Sequence, residues 1–206
     1  MRRLIEGFQN FRQHLWPENR ALFRALADRG QAPSVMVIAC ADSRVDPQMI
    51  FSAAPGEIFT VRNVANLVPP YAPNRDYHGT SAALEFAVRS LAVRHIVVLG
   101  HADCGGVRAL MGGPDPAGNS DFIDSWMRIA APARARALEI TGGDAQAAQH
   151  VCEHETVKVS LGNLMTFPWI RERVETGQLA LHGCYFGIES GQLLLLDGNG
   201  EFRPVD

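Results

Sequence analysis

The sequence lacks the features that would place the protein in a membrane or on nucleic acid. None of its apolar runs approaches the ~20 residues that cross a bilayer. The first stretch of the chain mixes charged and amide residues among its apolar ones, so we expect no secretory signal peptide. With 19 Lys and Arg against 22 Asp and Glu, the chain has no basic excess for nucleic acid or an anionic membrane surface. The lack of these features favours a globular protein that binds neither a membrane nor nucleic acid.

Cysteine is also scarce. The four cysteines, Cys40, Cys104, Cys152 and Cys184, are too few and too scattered for a disulfide scaffold. We expect a cytoplasmic protein, in which thiols stay reduced. Metal binding or catalysis then becomes the better explanation for any cysteine that lies beside a histidine.

The chain has 206 residues, 47% of them hydrophobic, which suits one domain with a full core or a domain with helical arms. Apolar residues recur at helical spacing over 2–15, and a second helical stretch, 18–29, ends at Gly30. The first helix either caps the core or packs on a second subunit. We therefore divide the chain into an N-terminal helical arm, 1–30, and a main domain, 31–206.

Apolar runs alternate with helical patterns along the main domain. Strands are predicted at 35–39, 57–61, 96–100, 179–182 and 192–197. Helices are predicted at 80–92, 105–111, 121–140, 145–165 and 168–176, with a surface loop at 112–120. The alternation predicts an α/β fold with a central, mostly parallel sheet and flanking helices. The short connection between the last two strands predicts an antiparallel edge strand.

Two of the predicted strands end in chemically active residues. Cys40, Asp42 and Arg44 follow the first strand, and His101 and Cys104 follow the third. Ligands of parallel sheets bind at the carboxyl ends of the strands, so these residues can meet there. Two thiolates and one imidazole suit tetrahedral zinc, and three protein ligands leave a fourth position open, as in catalytic zinc sites.

The cysteines also allow interpretations other than a catalytic zinc site. A lone buried cysteine is usually a small hydrophobic residue, and a structural zinc would fill four positions, often through Cys-x-x-Cys pairs that this chain lacks. His150 and His154 share a helix face from which Cys152 points away, so we interpret that group as structural. Cys184 is predicted to be a core thiol.

The pattern Cys-x-Asp-x-Arg followed by His-x-x-Cys-Gly-Gly resembles the β-class carbonic anhydrases, and the resemblance runs from about Gln31 to about Asp197. The stretches FTVRNVANLVPPY (59–71), GTSAALEFAV (79–88) and SLGNLMTFPWIRE (160–172) agree with the plant-type branch of that family. The resemblance implies a parallel sheet of four strands extended by a fifth, and a dimer embraced by the N-terminal helices. Pairing of dimers is left open.

The resemblance also assigns roles to residues. It implies one Zn²⁺ per chain on Cys40, His101 and Cys104, and reversible hydration of CO2 to bicarbonate and a proton by zinc-bound hydroxide. Asp42 and Arg44 would form the dyad that orients the hydroxide, with Asp42 as a metal ligand only in a closed state. Substrate-binding residues would be Gln31, Phe59, Val64, Phe86 and Gly105, some of them from the partner subunit.

In some relatives the closed state goes with a bicarbonate pocket built from a Trp, a Tyr and an Arg. Here Val37 stands at the Trp position, Phe186 is our match for the Tyr, and Arg62 is retained. Neither Val nor Phe can donate a hydrogen bond to a buried anion, so we expect an open site at neutral pH.

Other functions stay open on the same residues. Hydrolysis of carbonyl sulfide or carbon disulfide would use the same zinc chemistry, and a non-enzymatic zinc protein would keep the ligands. A zinc dehydrogenase would need a G-x-G-x-x-G fingerprint, and a zinc deaminase a Pro-Cys-x-x-Cys, neither of which occurs. Asp42, Arg44 and Gln31 favour an enzyme, because a structural ion needs none of them.

Overall fold

A six-stranded sheet organises residues 1–74, 76–113 and 120–205, the part of the chain that the computed structural model describes. Its strands are β1 (Val35–Cys40), β2 (Ile58–Asn63), β3 (His95–His101), β4 (Ala180–Phe186), β5 (Leu193–Leu196) and β6 (Phe202–Pro204). They lie in the order β2-β1-β3-β4-β5-β6. The first four are parallel and the last two antiparallel, which confirms the predicted mostly parallel sheet.

The sheet has six strands where five were expected, so its edge strand is not the one predicted. The antiparallel β5 is not the edge, because the short β6 pairs with it. Strand β4 also runs to Phe186, beyond the predicted end at His182, and Phe186 pairs with His101 at the end of β3. Gly183 interrupts the apolar pattern of β4, but side chains of the helix over 145–164 and of β5 lie against it. Neighbouring elements therefore decide where this strand ends.

The helices are α1 (Arg2–Asn10), α2 (Trp16–Arg29), α3 (Pro47–Ile50), α4 (Gly79–Glu85), α5 (Gly105–Gly112), α6 (Ile123–Met127), α7 (Ala131–Thr141), α8 (Ala145–Leu164) and α9 (Pro168–Glu175). The predicted single helix over 121–140 is wrong. It breaks into α6, a 3₁₀ turn (Arg128–Ala130) and α7, which has Pro132 in its first turn, where a missing N–H costs no helical hydrogen bond. Of the predicted loop 112–120, residues 114–119 lie outside the described residues.

The N-terminal arm stays helical throughout. A π-helical segment, Phe11–Leu15, joins α1 to α2, so the two predicted helices form one continuous arm that ends at Gly30. None of its residues is buried, and Leu4 and Phe8 are 71% and 61% exposed. The apolar face of α1 is therefore not covered by any of the described residues of the same chain.

Helix α8 fixes the position of the carboxyl end of β3. A Cβ placed on Gly100 would lie 2.6 Å from Cγ2 of Val157, so glycine lets the helix approach the strand closely. Helix α8 packs on α7, on the 3₁₀ turn (Val64–Asn66) that follows β2 and on α5, which follows β3, and Cys152 joins Cys40 and Cys104 in one apolar cluster. The strand ends that carry the candidate site are thus enclosed by packed helices.

Candidate metal centre

Three potential metal ligands converge at the carboxyl ends of β1 and β3. Cys40 is the last residue of β1, His101 is the last residue of β3, and Cys104 directly precedes α5. Their ligand atoms all lie within 4.8 Å of one another, and the three residues are at most 4% exposed. Because β1 and β3 are parallel neighbours, their ends meet at one edge of the sheet, as the sequence predicted.

A tight turn brings Cys104 back beside His101. Asp103 has a φ of 56°, in the left-handed region, which reverses the chain between the end of β3 and the first turn of α5. Gly106 follows, and a Cβ there would lie 2.7 Å from Cγ1 of Val64. Glycine at this position lets the segment after β2 pack directly against the turn.

The donor atoms suit a zinc ion. The Sγ atoms of Cys40 and Cys104 lie 3.9 Å apart, close to the ~3.8 Å expected for two thiolates at ~2.3 Å from a tetrahedral centre. Nδ1 of His101 lies 2.8 Å from the carbonyl oxygen of Ala102, whereas its buried Nε2 has no hydrogen-bond partner among the residues that the structure describes. Metal-bound histidines commonly donate the other N–H to a carbonyl, which leaves a lone pair for the metal.

The pKa values of the two thiols shift in opposite directions. The interaction with Cys104 lowers the pKa of Cys40 to about 4 despite burial, and the same interaction, with burial, raises the pKa of Cys104. Burial disfavours the protonated form of His101, but Cys40, the carbonyl oxygen of Ala102 and Asp42 together outweigh it and raise the pKa of the imidazole. A divalent cation would stabilise both thiolates together, because thiolates are the form that binds metal.

An ion pair lies beside the ligands. Arg44 donates from Nε to Oδ1 of Asp42 at 3.0 Å and from Nη2 to Oδ2 at 2.7 Å. The backbone N–H of Arg44 also donates to Oδ1 at 3.0 Å. These bonds hold the pKa of the Asp42 carboxyl well below its usual range. The carboxylate is therefore ionised at neutral pH and fixed in orientation.

The other residues assigned by resemblance lie at two places. Val64 packs with the ligand cluster, and Gly105 begins α5 directly after Cys104. Phe59 pairs with Met36, four residues before Cys40 along the sheet, which is about 13 Å away at 3.3 Å per residue. Phe86 packs on Phe59, with ring centroids 5.9 Å apart.

Gln31 is also remote from the ligands of its own chain. It precedes the first residue of β1, whereas Cys40 is the last. The strand between them spans about 17 Å. One chain therefore brings Val64 and Gly105 to the metal ligands, but not Gln31, Phe59 or Phe86.

The remaining cysteines are not among the potential metal ligands. Cys152 is fully buried, whereas the rings of His150 and His154 lie next to each other, with centroids 4.6 Å apart and planes tilted by 58°, as predicted for one helix face. Cys184 is a buried thiol inside β4, and burial raises its pKa to about 11. Both agree with a structural role.

Two residues near the site were missed from sequence. Glu153 accepts a hydrogen bond from the backbone N–H of Cys104, and Trp126 Nε1 donates to the carbonyl oxygen of Val64. Glu153 could have been found, because it falls on the buried stripe of α8 that also contains Ala148, Cys152 and Val157. A charged residue within such a stripe indicates a specific polar partner.

Comparison with known proteins identifies the family. The family model described as carbonic anhydrase matches residues 35–193. "Beta carbonic anhydrase 3" of Arabidopsis thaliana is 39% identical over 206 residues, which cover 98% of this chain and 79% of that protein. The solved β-carbonic anhydrase CcaA superposes with a TM-score of 0.93 at 34% identity, covering 100% of this chain and 99% of that one. A tetrameric enzyme of Sordaria macrospora gives a TM-score of 0.82 at 28% identity, with 98% of both chains covered. The chain therefore belongs to the β-class carbonic anhydrases, the zinc enzymes that hydrate carbon dioxide reversibly.

Proposed function

We propose that Cys40, His101 and Cys104 hold one catalytic zinc ion per chain and that CO2 hydration takes place beside it. The observation that carries the proposal is the convergence of two thiols and a partnerless imidazole nitrogen, with no fourth protein ligand among the described residues. A bound zinc ion would supply the nucleophile at neutral pH by lowering the pKa of a coordinated water. The side chains around the ion would orient the attacking oxygen and bind the substrate.

The Asp42–Arg44 pair orients the oxygen that attacks CO2. The ionised Asp42 carboxylate accepts a hydrogen bond from the attacking oxygen and so directs a lone pair of that oxygen toward the carbon of CO2. The same carboxylate rejects anions that have no proton to donate. Arg44 suits this role because its planar guanidinium holds both carboxylate oxygens at once, which Lys cannot do.

The substrate pocket is proposed to be apolar with few polar contacts. Val64 supplies apolar surface next to the ligands, and the backbone N–H of Gly105, in the first turn of α5, is available to a substrate oxygen. Gln31, Phe59 and Phe86 complete the pocket from a second copy of the chain, since within one chain they lie toward the opposite end of the sheet.

The N-terminal arm, 1–30, is proposed to bind that second copy, with residues 31–206 as the catalytic domain. Leu4, Ile5, Phe8 and Leu15 are each at least 50% exposed, and burying such side chains stabilises an interface. The assembly is a homodimer or a dimer of dimers, the latter supported by the tetrameric state named for the Sordaria macrospora enzyme.

A cytoplasmic location is proposed on the state of the cysteines. All four are free and buried, as expected where thiols stay reduced. Within the described ranges, no helix is both long and apolar enough to cross a membrane. Fractionation of the producing cells, with the protein in the cytosolic fraction, would support the location.

Stopped-flow measurement of CO2 hydration on zinc-loaded protein, run across pH, tests the function. We expect turnover far above that of buffer, rising toward alkaline pH, because two thiolates make zinc a weaker Lewis acid than three imidazoles do. Zinc-loaded protein with no turnover of CO2 would refute the proposal. Turnover of carbonyl sulfide or carbon disulfide in preference to CO2 would replace it with hydrolysis of those substrates.

A further inference from the structure

The peptide group between Asp103 and Cys104 is bound at both ends by charged side chains. Its carbonyl oxygen, that of Asp103, accepts a hydrogen bond from Nη2 of Arg44 at 3.0 Å. Its N–H, that of Cys104, donates to Oε1 of Glu153 at 3.0 Å. A cation at the carbonyl and an anion at the N–H both stabilise one orientation of the amide dipole, and hydrogen bonds to charged groups are about twice as strong as neutral ones.

This peptide group lies in the turn that reverses the chain between β3 and α5. Asp103 adopts the left-handed conformation there, with a φ of 56°, which is unfavourable for most L-residues. Rotation of the peptide plane, through ψ of Asp103 and φ of Cys104, would turn the N–H of Cys104 away from Glu153. Because the same peptide leads directly into Cys104, its orientation sets the direction in which the Sγ atom points.

Glu153 is itself rigidly placed. Its side chain is 3% exposed, and Oε2 accepts a hydrogen bond from the hydroxyl of Tyr185 at 2.7 Å. Nε2 of Gln149 donates to Oε1 at 3.2 Å, and Nδ1 of His150 lies 4.0 Å from Oε2. A buried carboxylate is tolerated only when it is hydrogen-bonded in this way. Its contacts reach the backbone of a ligand and none of the reacting atoms.

We infer that Glu153 is a positioning residue that locks the Asp103–Cys104 peptide and so holds the Cys104 thiolate in its ligand position. The inference rests on the proposed zinc site. It also joins Glu153 to the Asp42–Arg44 pair, because Arg44 binds the other end of the same peptide. Loosening this peptide therefore disturbs both a zinc ligand and the orientation of Asp42.

The test compares two substitutions of Glu153 with a control on the same helix. Glu153→Leu removes the acceptor, and Glu153→Gln keeps an acceptor but removes the charge. Leu164→Ala creates a cavity in the core at the far end of α8 and leaves the peptide untouched. The measurements are the rate of zinc transfer to a chromogenic chelator and the visible spectrum of the cobalt-substituted protein, which reports thiolate coordination.

We expect Glu153→Leu to release zinc about 10–100-fold faster than the unmodified protein and to alter the cobalt spectrum. Glu153→Gln should release zinc at least about threefold faster, because the bond to Cys104 loses its charge. Leu164→Ala should lower the unfolding temperature but keep the release rate and the spectrum. Release at the unmodified rate from either Glu153 variant would overturn the inference, as would equal acceleration by Leu164→Ala.

A second measurement needs no metal. The carboxylate should shift the amide proton of Cys104 downfield in the NMR spectrum of metal-free protein, and Glu153→Gln should move that resonance upfield. An unmoved resonance would overturn the inference even if zinc binds normally. Failure of the unmodified protein to bind zinc would instead refute the proposed function, so the two failures are distinguishable.

Discussion

Arg44 binds Asp42 through both oxygens of the carboxylate, from Nε at 3.0 Å and from Nη2 at 2.7 Å. The pair is two to four residues beyond Cys40, where β1 has ended, so the carboxylate is fixed beside the metal ligands without belonging to them. An isolated pair of this kind on a surface would contribute under ~1 kcal/mol to stability. Its position beside the potential metal ligands supports the catalytic role proposed for the pair.

Replacing either member of this pair should lower activity without removing a metal ligand. We expect Asp42→Asn to retain zinc and to lower kcat/KM for CO2 hydration about 10–100-fold, because an amide holds the attacking oxygen less well than an ionised carboxylate. Arg44→Ala should act similarly by freeing Asp42. Metal analysis and stopped-flow kinetics on the same samples check both variants, and near-normal turnover in either would show that the pair has no catalytic role.

Three single substitutions should each abolish zinc binding. Cys40→Ser, His101→Ala and Cys104→Ser remove one ligand apiece, whereas unmodified protein should contain one zinc ion per chain by elemental analysis. Cys152→Ser and Cys184→Ser are the matched controls, because both thiols are buried outside the ligand set. Full zinc content in any ligand variant would contradict the assigned site.

Mixing two impaired variants should restore activity if Gln31 acts on the partner subunit. Gln31→Ala dimers keep zinc but lack the substrate contact, and Cys104→Ser dimers lack zinc. In a mixed dimer the site with intact ligands receives an intact Gln31, so random mixing should yield about one quarter of unmodified activity. The measurement is CO2 hydration after the two variants have been unfolded and refolded together.

Separate refolding of the two variants, followed by mixing below the dissociation temperature, is the control for that experiment. It should give only the sum of the two residual activities. The same sum after co-refolding would place Gln31 in the site of its own chain and would contradict the pocket proposed above.

Acid should inactivate the enzyme gradually, and bicarbonate should not inhibit it cooperatively. Val37 and Phe186 offer no donor to a buried anion, and Arg62 is engaged with the carbonyl oxygens of Cys40 at 2.9 Å and of Asp42 and Val45 at 2.7 Å. A bicarbonate ion would have to displace these hydrogen bonds, and Val37 and Phe186 would donate none to the ion in their place. Activity measured from alkaline to mildly acidic pH should follow a single ionisation, and a steep loss involving several protons would contradict this.

The buried His154 should lower the free energy of unfolding of the protein in acid. Burial, with smaller contributions from His150 and Lys158, lowers the pKa of His154 from 6.5 to about 4 in the folded chain. Between these two values the unfolded chain binds more protons than the folded one, so the free energy of unfolding falls as pH falls. His154→Phe, which keeps an aromatic ring against Tyr185 and Phe202, should lose less stability between pH 7 and 5.

Urea unfolding at the two pH values measures this difference. His14→Gln is the control, because it removes an exposed histidine of the arm and should change the pH dependence little. An equal loss of stability in His154→Phe and in the unmodified protein would show that His154 is not the group responsible.

Much of the metal centre could be predicted from sequence because it depends on which residues follow each other at the ends of two strands. Cys40 and His101 end two apolar runs, and parallel strands bring their carboxyl ends together whatever the details of helix packing. The three-residue spacing from His101 to Cys104 needs only one turn. The edge of the sheet was less predictable, because β6 has three residues and depends on pairing with β5.

The sequence by itself thus determined the chemistry of the site, namely the residue types at the ends of two strands and the charges beside them. Only the tertiary structure decided which charged side chains bind the Asp103–Cys104 peptide. Glu153 is 49 residues from Cys104, and the hydrogen bond between them exists because α8 packs closely on β3 at Gly100. Such a contact depends on the relative position of two elements, which no local pattern of residues encodes.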